Sequence, residues 1–141
     1  MDLTYSPVVP ADAGVIFDLC KALIDQYEDI STIDYDKVLA WVRRKIEGSI
    51  SEYRRIIVDG VHAGYFHFCP AEDSWELDDL YVFPEFQNRG IGAAVVRDCC
   101  EHGPVILYVF RKNTGALALY RRLDFREIGT AGQTRLILRK E

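Results

Sequence analysis

The apolar positions fall first on helical spacing and then, from residue 53, on a period of two. LTYSPVV (3–9) alternates weakly and predicts a first strand. Val15, Ile16, Leu19, Leu23 and Ile24 then recur at i, i+3, i+4 and i+8 spacing, which predicts a helix from Asp12, read as its cap, to about Tyr27. Val38, Trp41, Val42 and Ile46 predict a second helix over about 34–47, ending near Gly48. YRRIIVDGVHAGYFHF (53–68) reads as two strands around Asp59-Gly60, a dipeptide suited to a tight hairpin. WELDDLYVF (75–83) predicts a strand closed by Pro84, and GIGAAVVRDCCEH (90–102) a helix with Ile91, Val95 and Cys99 spaced four apart, ended by Gly103-Pro104. VILYVF (105–110) reads as a buried strand, TGALALYRRL (114–123) as a helix, and FREIGT with TRLILR as a final strand pair. The resulting order, βααβββαβαββ, predicts a mixed sheet covered by helices, an α/β (α+β) class, with residues 1–141 as one domain.

Composition narrows the function classes. The 141 residues are 49% hydrophobic and 12% aromatic, enough for one real core. A net charge of −5 gives no basic footprint, so nucleic acid is not an expected partner. Residues 1–36 carry eight acids against Lys21 alone, a balance of −7, and the remainder of the chain is at +2. No apolar run approaches the length of a membrane span and no leader pattern is present, so the chain is expected to be cytoplasmic with no membrane partner. Cys20, Cys69, Cys99 and Cys100 lack CxxC spacing, and packing cysteines are expected, with no metal.

The candidate chemistry lies in FQNRGIGAA (86–94), which follows a strand and opens a helix. Glycines at 90 and 92 let an anion approach amides at a helix N-terminus. A Walker loop would need Lys-Ser/Thr where Ala93-Ala94 stand, and a dinucleotide fingerprint would need a third glycine where Val95 stands.

LYVFPEFQNRGIGAA resembles motif A of the GNAT superfamily of N-acetyltransferases, a Q/RxxGxG/A pattern filled by Gln87, Gly90 and Gly92. NTGALALYRRLDF resembles the family's motif B through Asn113, Ala116 and Tyr120, departing at Asp124 where glycine is usual. The resemblance implies a mostly antiparallel sheet whose two central parallel strands splay, and an acetyl-CoA cosubstrate. It implies that amides of residues 88–93 (Asn88, Arg89, Gly90, Ile91, Gly92, Ala93) cradle the pyrophosphate, with polar contacts from Gln87, Asn88 and Arg89. Main-chain groups near Leu80, Tyr81 and Val82 would carry the pantetheine arm, and Asn113 and Tyr120 would complete the cofactor contacts.

By the same resemblance, the Leu80 amide is aimed at the acetyl oxygen and Tyr120 is the general acid for the departing thiolate. Glu76, six residues before Val82, is the expected catalytic base, with Asp78, Asp79 or water as alternatives. Strand alternation places Glu76 and Asp78 on one face and Asp79 on the other. Tyr108 stands where some protein N-terminal acetylating relatives carry a glutamate. His62 and His102 read as structural, and His67 as a candidate for lining the acceptor side. The implied activity is an acyltransferase of the 2.3.1 class acting on a primary amine of a small molecule or peptide, as a monomer or homodimer. The acidic first 36 residues raise a cationic acceptor as a hypothesis. The competing class is a non-catalytic acyl-CoA-binding or regulatory module on the same fold.

Overall fold

In the computed structural model, which describes residues 1–141, the chain follows the expected order. The strands are β1 (Leu3–Pro7), β2 (Tyr53–Val58), β3 (Val61–Pro70), β4 (Trp75–Val82), β5 (Val105–Phe110), β6 (Arg126–Ala131) and β7 (Arg135–Lys140). The helices are α1 (Asp12–Tyr27), α2 (Tyr35–Gly48), α3 (Ile91–Cys100) and α4 (Thr114–Arg122). One sheet runs β1-β2-β3-β4-β5-β7-β6, antiparallel throughout except for the parallel β4/β5 pair. That pair flanks α3, because parallel neighbours need a crossover that packs back on the sheet. No helix is long and apolar enough to cross a membrane.

Two cores cover the two faces. Under α3 and α4, Ile56, Leu77, Val95, Val105 and Leu107 lie in a wholly apolar cluster. Under α1 and α2, Ile16, Phe17, Ile24, Val42 and Ile46 pack with Tyr53 and Tyr65. Cys20 and Cys99 are buried in these clusters, and all four cysteines are free thiols.

Two expectations for α1 are corrected. The buried stripe is Ile16, Phe17, Cys20 and Ile24, while Val15 is exposed. Asp12 is the first helical residue and caps nothing in the helix. It is buried, and it accepts the Val9 amide, both Nε and Nη2 of Arg55 (3.0 and 2.9 Å) and the Tyr65 hydroxyl (2.7 Å). With four donors satisfied, this carboxylate ties α1 to β2 and β3.

α4 ends in a Schellman arrangement, the amide of Phe125 reaching Tyr120 O (3.0 Å) and that of Asp124 reaching Arg121 O (3.1 Å). Asp124 takes φ +70° there. The aspartate at the usual glycine position therefore keeps the turn and carries its backbone strain.

Candidate active site

β4 and β5 meet only at Trp75 with Val105 and Glu76 with Ile106. Beyond Glu76 the strands part. The register of β4 on β3 also slips, from Tyr65 opposite Tyr81 to His67 opposite Asp78, so that Asp79 and Leu80 together face Phe66. Asp79 adopts φ +50° at this bulge. The extra residue resets the alternation. Asp78 and Asp79 both reach Lys45, with Nζ to Oδ2 distances of 3.3 and 4.0 Å, so Asp79 shares the face of Asp78 and does not lie opposite it.

The parted strands border a cavity of about 340 Å³. From the α1/α2 side it takes Cys20, Leu23, Trp41 and Lys45; from β4, residues 77–82; from β5, residues 107–110; and from the opposite face of the sheet, Asn113, Ala116 and Tyr120 of the α4 segment. Arg135 completes the lining, its guanidinium 5.7 Å from the Tyr108 ring centre. An intact sheet would keep Asp78 and Tyr120 on separate sides. The gap lets them share one space.

The surroundings displace the proton affinities of Asp78, Lys45 and Tyr120 in this space. Burial, then the neighbouring Asp79, pushes the Asp78 carboxyl up to about 7, partly opposed by Lys45. Burial works against the Lys45 charge, yet Asp79 and Asp78 together raise its affinity for the proton. Tyr53, fully buried, donates its hydroxyl to Asp79 Oδ2 at 2.5 Å. Burial first, then Asp78, raises Tyr120 above the ordinary phenol value, so it carries its proton at neutral pH. A carboxylate poised near neutrality and a protonated phenol lining one cavity are groups chemically able to act as base and acid.

The loop before α3 is built to present donors. Asn88 and Gly90 take φ +63° and +78°, and Gly90 is the N-cap of α3. Within the protein, the first helical amide bond here runs from Ala94 to Gly90 O. The amides of residues 88–93 make no hydrogen bond to a protein acceptor. Successive unpaired N–H groups at a helix start form an anion cradle. A Cβ on Gly92 would meet only the Leu119 side chain, at 3.8 Å, so the fold itself does not require glycine there.

Gln87 is braced inward, Nε2 donating to Val82 O at 2.9 Å. Arg89 lies over the Phe86 ring. Asn113 accepts the Ala116 amide at 3.2 Å and caps α4 while lining the cavity.

Glu76 sits at the last paired position, outside the cavity lining and next to Asp78. His67 is buried behind Tyr53, rings stacked at 4.5 Å, with Nε2 2.9 Å from Glu52; it does not line the cavity. His62 packs edge-on to Tyr65 and Phe83, and His102 edge-on to Phe68 and Trp75. The loop acids are engaged locally: Asp25 with Lys21 and Tyr35, Asp29 with Ser31, Asp34 as the cap of α2. None of them lines the cavity.

Lys45, Tyr53 and Arg135 join the site without having stood out in the sequence. The sequence signal that was available is the pair Asp78-Asp79 inside an apolar strand, a break in alternation of the kind a bulge absorbs.

The fold and this cleft define an acyltransferase-like architecture, and the sequence profile of the acetyltransferase (GNAT) family matches residues 16–125. The chain belongs to that family. Among similar proteins, an uncharacterized N-acetyltransferase of Methanocaldococcus jannaschii is 36% identical over 58 residues, and the N-alpha-acetyltransferase RimI of Mycobacterium tuberculosis 40% identical over 58. These segments cover 37% and 39% of this chain, and only 26% and 37% of those relatives. The PaiA N-acetyltransferase of Thermoplasma acidophilum, solved in complex with coenzyme A, shares the fold over 100% of this chain and 99% of its own, with a TM-score of 0.70 at 17% identity.

Proposed function

We propose that this chain transfers the acetyl group of acetyl-CoA to a primary amine of a small molecule or peptide. The observation that carries the reading is the meeting of Asp78 and Tyr120, from opposite faces of the sheet, in the cavity where β4 and β5 part. Acetyl-CoA would supply the activated acyl group. The amides of residues 88–93 would hold its pyrophosphate, and the main chain near Leu80, Tyr81 and Val82, unpaired on its β5 side, would hold the pantetheine arm. Gln87 serves by bracing the loop against β4. The Leu80 amide, at the bulge, would polarise the acetyl oxygen.

Asp78 takes the role first expected of Glu76. It accepts a proton from the incoming ammonium, and the amine then attacks the thioester carbon. Tyr120 gives its proton to the departing thiolate and is reset from the amine nitrogen or water. Because the loop acids are already engaged in caps and pairs, recognition of the amine is assigned to Asp78 and Asp79. A cationic acceptor remains compatible with two acids facing one lysine.

The test has two arms. Thiol release from acetyl-CoA with a pooled amine library should be acceptor-dependent. Gly92→Glu, which adds a carboxylate where the structure has room for a side chain, should weaken acetyl-CoA binding at least roughly tenfold in calorimetric titration with an unchanged unfolding midpoint. Binding without thiol release for any amine would leave the non-catalytic acyl-CoA module as the function. Unchanged affinity in the folded variant would remove the cradle.

A further inference from the structure

One primary amine is already in the cavity. Of the five lysines, Lys45 alone lines it. Its side chain, 27% exposed, is held with Nζ 3.3 Å from Asp78 Oδ2. Lys21 and Lys37 pair with acids on their own segments, Lys140 donates to Leu123 O, and Lys112 is exposed. Lys45 thus occupies the relation to the base that an acceptor ammonium needs, on the same cavity wall as the unpaired part of β4.

Resting on the function proposed above, we propose that Lys45 is a self-acetylation site, modified by acetyl-CoA bound in the protein's own cleft. The ammonium passes one proton to the Asp78 carboxylate. The neutral Nζ attacks the thioester carbon, forming the N–C bond as the C–S bond breaks, and a second proton leaves the nitrogen for the thiolate, with Tyr120 as the carrier. The products are an amide on Lys45, protonated Asp78 and the free CoA thiol, and no other reactant is required. An external amine has to displace Lys45 from Asp78, so a good acceptor protects it.

Incubating the full chain with acetyl-CoA alone and mapping peptides by mass spectrometry tests this. Lys45 should gain one acetyl group at least roughly tenfold faster than Lys21, Lys37, Lys112 or Lys140, since a held amine has the advantage of proximity. The Gly92→Glu variant should lose that excess while the slow modification of the surface lysines stays. Lys45→Arg should show no acetylation at this position. If the protein binds acetyl-CoA and acetylates library amines while Lys45 stays unmodified, or reacts no faster than the surface lysines, the proposal is wrong and Lys45 is a structural ion-pair partner. If calorimetry finds no acetyl-CoA binding, both this proposal and the function beneath it fall.

Discussion

The two faces of the sheet are built on opposite principles. The fully buried side chains of the face under α3 and α4 are apolar, from Ile56 across Leu77 and Val95 to Leu138, with a part-buried Tyr5 donating to Asp98. The face under α1 and α2 holds the two buried polar or charged side chains, Asp12 and His67, and also the Lys45, Asp78 and Asp79 cluster. Burial of apolar area stabilises the first face at roughly 25 cal/mol per Å². The second face buries charge, which is tolerated only where donors and acceptors are matched. The difference separates fold from chemistry: one face supplies cohesion, the other pairs Asp12 with Arg55 and Lys45 with Asp78 and Asp79. Tyr120, with Asn113 and Ala116, reaches the cavity from the apolar face through the gap between β4 and β5.

The hardest way to break this arrangement is to move β4. Gly64 lies on β3 where a Cβ would stand 2.0 Å from Tyr81 O, an overlap with backbone that no rotamer relieves. Gly64→Ala should cost about 3 kcal/mol or more, at the upper end for overpacking, and should also weaken acetyl-CoA binding by shifting β4 at the cavity. Urea denaturation with calorimetry checks both.

Asp12 tests the polar face away from the cavity. Asp12→Ala strands Arg55 and Tyr65 and should cost about 3 kcal/mol, leaving the apolar face intact. The pH dependence has a fixed sign. Burial disfavours the Asp12 carboxylate, but Arg55, Tyr65 and the Val9 amide outweigh it and lower its pKa to about 2. A depressed carboxylate contributes its stability in full above the ordinary value of 3.8 and loses it as pH falls through about 2. The gap in urea midpoint between the native protein and Asp12→Asn should therefore narrow between those two values. A gap that stays constant would mean that the charge on Asp12 contributes nothing.

The smallest effect belongs to the apolar face. Asp124→Gly relieves the left-handed strain at the end of α4 and should stabilise by roughly 0.5 kcal/mol, the strain relieved being partly offset by a more flexible unfolded chain. A thermal melt should register it as a slight rise.

These contrasts also mark what the chain makes legible. Element order follows from local periodicity, and so does the donor loop, because Gly90 and Gly92 stand together after a strand. Asp124 is visible as a departure whose turn survives. The face of Asp79 is not legible from alternation, since alternation holds only while no extra residue enters the ladder. Lys45 is hidden for a different reason. It is 33 residues from Asp78 in the chain, on a helix whose apolar pattern gives no sign of which polar residue turns inward. The choice between Glu76 and Asp78 depends on where the β4/β5 pairing ends, a tertiary fact.

The central claim is that the parted strands place a base near neutrality opposite Tyr120, and the pH profile of kcat/KM tests it most directly. For a carboxylate whose proton is held up to about 7, the unprotonated, working form accumulates as pH rises, so kcat/KM with a saturating acetyl donor should climb through an inflection near that value. Asp78→Asn should remove the limb and lower the rate roughly 100-fold, the usual worth of a general base, while acetyl-CoA affinity holds. An unchanged inflection and rate in Asp78→Asn, with loss of both in Glu76→Gln, would contradict the account and return the base to the paired end of β4.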